Sequence, residues 1–166
     1  MTKRIGSVAT AKTAVCLRGP KGVNAALAAL TGGDRDLASL LEAAQVRTQN
    51  AAADLAERSG GTQYPTLDIY CEKVVNSLKE KFRRFSGSLQ MAIEIRHSQD
   101  RLEGTEEKLE LYADAAAQSL DTARGDWGDG MFYAGGYEIA FSGVKRGGKN
   151  YVQSAKITFE IEVSRN

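Results

Sequence analysis

The sequence predicts an α+β protein with a four-stranded, mostly antiparallel sheet: two hairpins flanking a helix, with N-terminal helices packed alongside. Three stretches carry that expectation. Ala155, Ile157, Phe159, Ile161 and Val163 alternate with Lys156, Thr158, Glu160 and Glu162, the two-residue period of a strand with one buried face. Leu89, Met91, Ile93 and Ile95 alternate in the same way with Gln90, Glu94 and Arg96. Between these strands, Leu109, Tyr112, Ala116 and Leu120 recur at helical spacing over residues 105–123.

The chain opens with Lys3, Arg4, Lys12, Arg18 and Lys21 and carries no acid before Asp34. No sustained period runs through it, so residues 1–21 are expected to form a basic flexible arm and residues 22–166 a single α+β domain. Gly19-Pro20 breaks the chain. Val23, Ala26, Leu27 and Leu30 then predict a short helix that stops at Gly32-Gly33. Asp34 is the expected N-cap of a longer helix, about residues 35–58, with Leu37, Leu40, Leu41, Ala44, Ala51 and Leu55 in its stripe. Tyr64-Pro65 opens a strand with Leu67, Ile69, Cys71 and Val75 inside and Asp68, Tyr70 and Glu72 outside.

Residues 76–87 fit either two helical turns, through Leu78, Phe82 and Phe85, or an extended hairpin. Residues 125–136 suggest a glycine-rich loop around the sole tryptophan, Trp127. Tyr137, Ile139 and Phe141 predict a third strand, and Gly143 to Asn150 a turn before the last one.

The composition narrows the function. With 22 Lys+Arg against 21 Asp+Glu, no global field draws the chain to nucleic acid or an anionic membrane. No apolar run approaches the ~20 residues that span a bilayer, and the N-terminus has no apolar block of signal-peptide length. Cys16 and Cys71 fit no metal or redox spacing and suit a reducing cytoplasm. His97 is the lone histidine and is expected as a polar residue at a strand end. Glu94 and Arg96 share an outer face and are expected in solvent. No residue is assigned a catalytic, cofactor or metal role.

Two chemical motifs fall short. Gly143 to Asn150 matches a phosphate-cradling loop in all but its last position. That loop needs a hydroxyl where Asn150 stands and a helix after it, and the residues after Asn150 have strand period, so a basic hairpin turn is expected. Asp126 and Asp129 have the wrong spacing for a calcium loop. The run from Lys79 to Phe85 interleaves Lys and Arg with Phe, as surfaces that stack on bases do. The simpler expectation has Phe82 and Phe85 plugging the sheet or a neighbour, with the charges in water.

Taken together, the run Lys81-Phe-Arg-Arg-Phe-Ser-Gly87 and several other segments resemble a known family. Those segments are Tyr70-Cys-Glu-Lys73, Asn76, Met91-Ala-Ile-Glu94 with Arg96, and Ser98-Gln-Asp-Arg-Leu-Glu-Gly104. Further on come Arg124-Gly-Asp-Trp-Gly-Asp-Gly130, Gly135-Gly-Tyr-Glu138 and Phe159-Glu160 to Val163-Ser164. Over roughly residues 40–166 the chain resembles the tail terminator and neck (head–tail joining, tail completion) proteins of tailed bacteriophages.

The resemblance implies a structural virion protein rather than an enzyme, with no cofactor. Such proteins form a homo-oligomeric ring, commonly a hexamer, that ends the tail tube and joins it to neck or connector proteins. DNA passes through the lumen as cargo, and assembly takes place in the host cytoplasm. Trp127, Phe132 and Tyr133, helped by the N-terminal arm, are the expected subunit contact. Two basic links, Lys79, Lys81, Arg83 and Arg84, and Lys145, Arg146 and Lys149, are the expected lumen- or tube-facing surfaces. Another neck ring (a head-completion or connector-adaptor protein) and a small nucleic-acid-binding module are the alternatives.

Overall fold

The computed structural model describes residues 4–49 and 63–166. The basic arm expected at the N-terminus is instead helix α1, Ile5–Arg18, with Ala9, Thr13, Ala14 and Leu17 buried. Its buried stripe is mostly small residues, so hydrophobicity alone barely marks it. Helix α2, Val23–Thr31, ends as expected: Gly32 takes φ 61°, and its N–H bonds the Ala28 carbonyl.

The long helix expected from about residue 35 does not form over residues 35–49, and its remainder, residues 50–58, lies outside the described residues. Side chains from elsewhere take up the backbone groups that a helix would pair. Asn24 accepts from Leu41 N–H at 2.6 Å and donates to Leu41 O at 2.8 Å. The Tyr112 hydroxyl accepts from Ser39 N–H at 3.2 Å, and Arg18 donates to Val46 O. Asp34 caps no helix; its carboxylate accepts from Asp36 N–H at 2.9 Å in a local turn. One 3-10 turn, Ala43–Gln45, leads into β1, Val46–Arg47.

The sheet is larger than the four strands expected. After β1 come β2 (Thr66–Asn76), β3 (Phe85–Gln99), helix α3 (Thr105–Thr122), β4 (Gly125–Gly128), β5 (Met131–Tyr133), β6 (Glu138–Phe141), β7 (Lys145–Gly147) and β8 (Asn150–Arg165). The order is β1-β2-β3-β8-β5-β4, with β6 and β7 also paired to β8. Every pairing is antiparallel except β1 with β2. The expected third and fourth strands are present, and β8 is long enough to pair with three short strands in succession. Two of those three, β5 and β7, were hidden in segments expected as loops. Asp129-Gly130, both at positive φ, turns β4 into β5, and Gly148 at φ 64° lies in the turn from β7 to β8.

The central pair is β3 with β8, in unbroken register from Phe85↔Arg165 to Gln99↔Tyr151. One face carries Leu67 and Ile69, the odd-numbered residues of β3 from Leu89 to Ile95, and those of β8 from Ala155 to Val163, nearly all fully buried. Helices α1 and α3 pack on that face, and α2 packs on α3. Buried Ala113, Ala116 and Ala117 let α3 come close to the strands. Trp127, Tyr133 and Phe159 close the core beside β4 and β5, with ring centroids 5.6 to 6.4 Å apart.

A β-bulge at Cys71/Lys73 puts one extra residue into β2. It inverts the expected facing: Val74, not Val75, now pairs with Leu89, and Val75 stands opposite Ser88 on the other face. Both valines are exposed, because β2 has by then run past its helical cover.

Candidate functional site

The feature most in need of explanation is the tip of the β2–β3 hairpin, residues 77–84. It is neither two helical turns nor a loose loop. Asn76 Oδ1 accepts from Leu78 N–H at 3.4 Å and Ser86 N–H at 3.0 Å, while its amide donates to Arg84 O at 3.0 Å. Ser77 donates to Ser86 O at 3.2 Å, and Glu80 N–H donates to Ser86 Oγ at 2.9 Å. Glu80 then receives Ser164 Oγ at 2.7 Å and Arg83 at 3.4 Å, tying the tip to the end of β8. Gly87 sits where the strands close on each other: a Cβ there would stand 1.9 Å from Val75 O.

These bonds hold Leu78 at φ 49° and Phe82 at φ 67°. The left-handed region costs an ordinary residue about 1–2 kcal/mol. Neither side chain recovers that cost in the isolated chain, since Leu78 is 61% exposed and Phe82 fully so. They stand in water among the exposed Lys79, Lys81, Arg83 and Arg84. The basic and aromatic run thus divides. Phe85 packs against the core as expected, whereas Phe82 plugs nothing among the described residues.

The second basic link lies elsewhere. Lys145 and Arg146 are on β7, and Lys149 is in the turn to β8, all exposed. β7 pairs with the start of β8, beside Gln99, whereas the hairpin tip adjoins Phe85. The 15 residues of β3 separate the two links, roughly 45 Å at the usual strand rise, so they form no common patch. The phosphate-loop-like segment leads directly into strand β8, with no helix N-terminus to receive an anion.

The three residues expected at a subunit contact are also divided. Tyr133 is fully buried, its hydroxyl bonded to Gly136 O at 3.0 Å and its pKa pushed up to about 12, chiefly by burial. Trp127 is half-buried and donates to Ala123 O at 2.6 Å. Both serve the aromatic core; Tyr133 leaves no surface for a neighbour, whereas Trp127 also lines an open cleft with Ala11 and Val15. Phe132 is exposed, and with Lys79, Glu80 and Gly130 it lines a cleft of about 290 Å³ at the foot of the hairpin tip. The structure therefore brings one residue of the expected contact beside one of the basic links.

A second polar arrangement was expected in solvent and is not there. Asp68 and Arg96 lie on the sheet face opposite the helices, yet Asp68 is fully buried and Arg96 is 4% exposed. Asp68 accepts from Arg47 at 2.7 and 3.0 Å and from Arg96 at 2.7 Å. Arg96 reaches Glu94 at 3.2 Å, and the Tyr70 hydroxyl donates to Glu94 at 3.3 Å. Burial, with the Glu94 carboxylate beside it, raises the Tyr70 pKa. Further along, Glu72 binds Lys156 and so raises the ammonium pKa. Cross-strand register produces this row: Asp68, Glu94 and Lys156 stand opposite one another. Its visible signal was the charge alternation along three strands, though the pairing of those strands is not written in any one of them.

His97 is also buried, on the helix side, beside Tyr112 and bonded to Gln99 at 3.1 Å. Burial pushes its imidazole below the usual range, while the Gln99 bond opposes that shift. The thiols of Cys16 and Cys71 are half-buried and raised by burial, the reverse of what activates a nucleophile. Among the described residues no three His, Cys, Asp or Glu side chains come together as a metal site, and no helix is long and apolar enough to cross a membrane. No family model matches the chain, and no curated protein matches it.

Proposed function

We propose that this chain is a structural virion protein of a tailed bacteriophage, a ring subunit that ends the tail tube and joins it to the neck. In this reading six copies surround a lumen through which DNA passes, and the chain carries no catalytic role. The ring assembles in the host cytoplasm and meets tail-tube proteins on one side and neck or connector proteins on the other. The sequence resemblance over roughly residues 40–166 suggests the family. The observation that carries a joining role is the hairpin tip, where Leu78 and Phe82 are held in left-handed backbone and turned to solvent among cations. An isolated domain gains nothing from that arrangement, whereas a subunit that buries the tip against a neighbour does. A place at another level of the neck would use the same contacts.

The exposed Phe82 between Lys81 and Arg83 favours one other reading, a small nucleic-acid-binding module that stacks a base on the ring. Light scattering and negative-stain images of the purified chain, alone and with tail tubes, separate the two. Rings of one copy number, or capped tube ends, support the joint. A chain that leaves tubes uncapped but binds short DNA with a steep salt dependence supports the module.

A further inference from the structure

We infer that the ring contact runs head to tail, with the apolar, basic tip of the β2–β3 hairpin of one copy docking on the acidic outer stripe of α3 in the next. This deepens the joining role proposed above and rests on it. Lys79, Lys81 and Arg84 are exposed and have no ion pair among the described residues. Residues 76–84 hold four cations against one acid. The outer face of α3 has the opposite character. On α3 Glu107, Glu110 and Asp114 recur at intervals of one helical turn, with Glu103 in the turn just before the helix, and all four are exposed without an ion pair among the described residues. Over residues 100–114 there are six carboxylates against two cations. Leu102, at 56% exposure, adds an apolar contact at the start of that stripe. The net charge of +1 conceals this separation.

The two surfaces cannot meet within one chain. Gln99, at the far end of β3 from the tip, donates to the carbonyls of Arg101 and Glu103 at 2.7 Å each and so fixes the approach to α3. The tip and the start of the acidic stripe therefore sit at opposite ends of the 15-residue strand. A contact between different patches at opposite ends is heterologous, which closes into a ring when the rotation between copies closes. Tip against tip and stripe against stripe both repel, so like patches do not pair, and a ring forms where each tip docks on the next copy's stripe without a reciprocal contact.

Charge exchange tests the contact on the full chain. In the tip variant Lys79, Lys81 and Arg84 become Glu; in the helix variant Glu103, Glu107 and Glu110 become Lys. Each alone is expected to weaken self-association by about tenfold or more at low salt, as loss of complementary charge does. A one-to-one mixture of the two variants, or both sets in one chain, is expected to restore assembly, which damage to the fold would not do. Assembly unaffected by either variant would overturn this contact and leave the ring reading standing. A wild-type chain that stays monomeric at low salt and high concentration would overturn it too, and capping of tail tubes by that monomer would still support the joint. If the tip variant lost only binding to a short DNA duplex, with association unchanged, the tip would be a nucleic-acid surface and the contact would be refuted.

Discussion

The two ends of the β2–β3 hairpin are built from similar residues and treat them oppositely. From Leu67 to Ile69 and from Leu89 to Ile95, apolar side chains lie under α1 and α3, and even the charged Asp68 and Arg96 are buried against each other. Beyond the bulge at Cys71/Lys73, Val74, Leu78 and Phe82 stand in water, two of them in costly backbone. The body of the hairpin serves the fold of its own chain. The tip is held in costly backbone with its apolar side chains in water, the feature on which the proposed joining role rests.

Substitutions in the body sharpen that contrast most. Asp68→Ala leaves the Arg96 guanidinium buried beside an empty site and should cost about 3–5 kcal/mol, read as a lower urea midpoint. Arg83→Ala at the tip removes only exposed bonds and should stay within about 1 kcal/mol of wild type. Ile93→Ala, in the centre of the buried face, should cost about 2–5 kcal/mol through lost contacts and a residual cavity. Phe82→Gly should have the opposite sign, raising stability by about 1 kcal/mol because glycine accepts φ 67° without a Cβ penalty. The same substitution should weaken assembly.

The smallest expected effect concerns His97, which belongs to the body. Its folded pKa lies below the ordinary value of 6.5, so the unfolded chain takes up the proton first as pH falls. Stability is then lost as pH drops from about 6.5 towards the folded pKa. His97 is the chain's only histidine, so His97→Gln should flatten the pH dependence of the melting temperature in that window. An unchanged slope would mean that other groups set it.

Much of the body was legible in the sequence. The alternation in β3 and β8 and the stripe of α3 each mark their own buried face, and Gly32 ends α2 where glycine is the natural stop. Three things were not legible, for separate physical reasons. Helix α1 buries Ala9, Thr13 and Ala14, which are too small to register as an apolar stripe. Residues 35–49 carry helical spacing, but Asn24, Tyr112 and Arg18 bind their backbone from distant positions, and Leu37 and Leu40 remain exposed. The extra residue at the β2 bulge cannot be seen until both strands are paired. The β4–β5 turn had a usable signal in Asp129-Gly130, masked by the surrounding glycines. Of the candidate site, the basic run was visible from its residues, whereas the exposure of Phe82 and the burial of Tyr133 depended on tertiary packing.

The most direct test of the tip as an assembly element is the solution mass of wild type and Phe82→Gly, measured side by side with their melting temperatures. The account predicts a closed oligomer for wild type and a smaller species for the variant, which should melt no lower than wild type at a dilution where both are dissociated. A variant that assembles as well as wild type, or that disassembles only because it has lost stability, would contradict it.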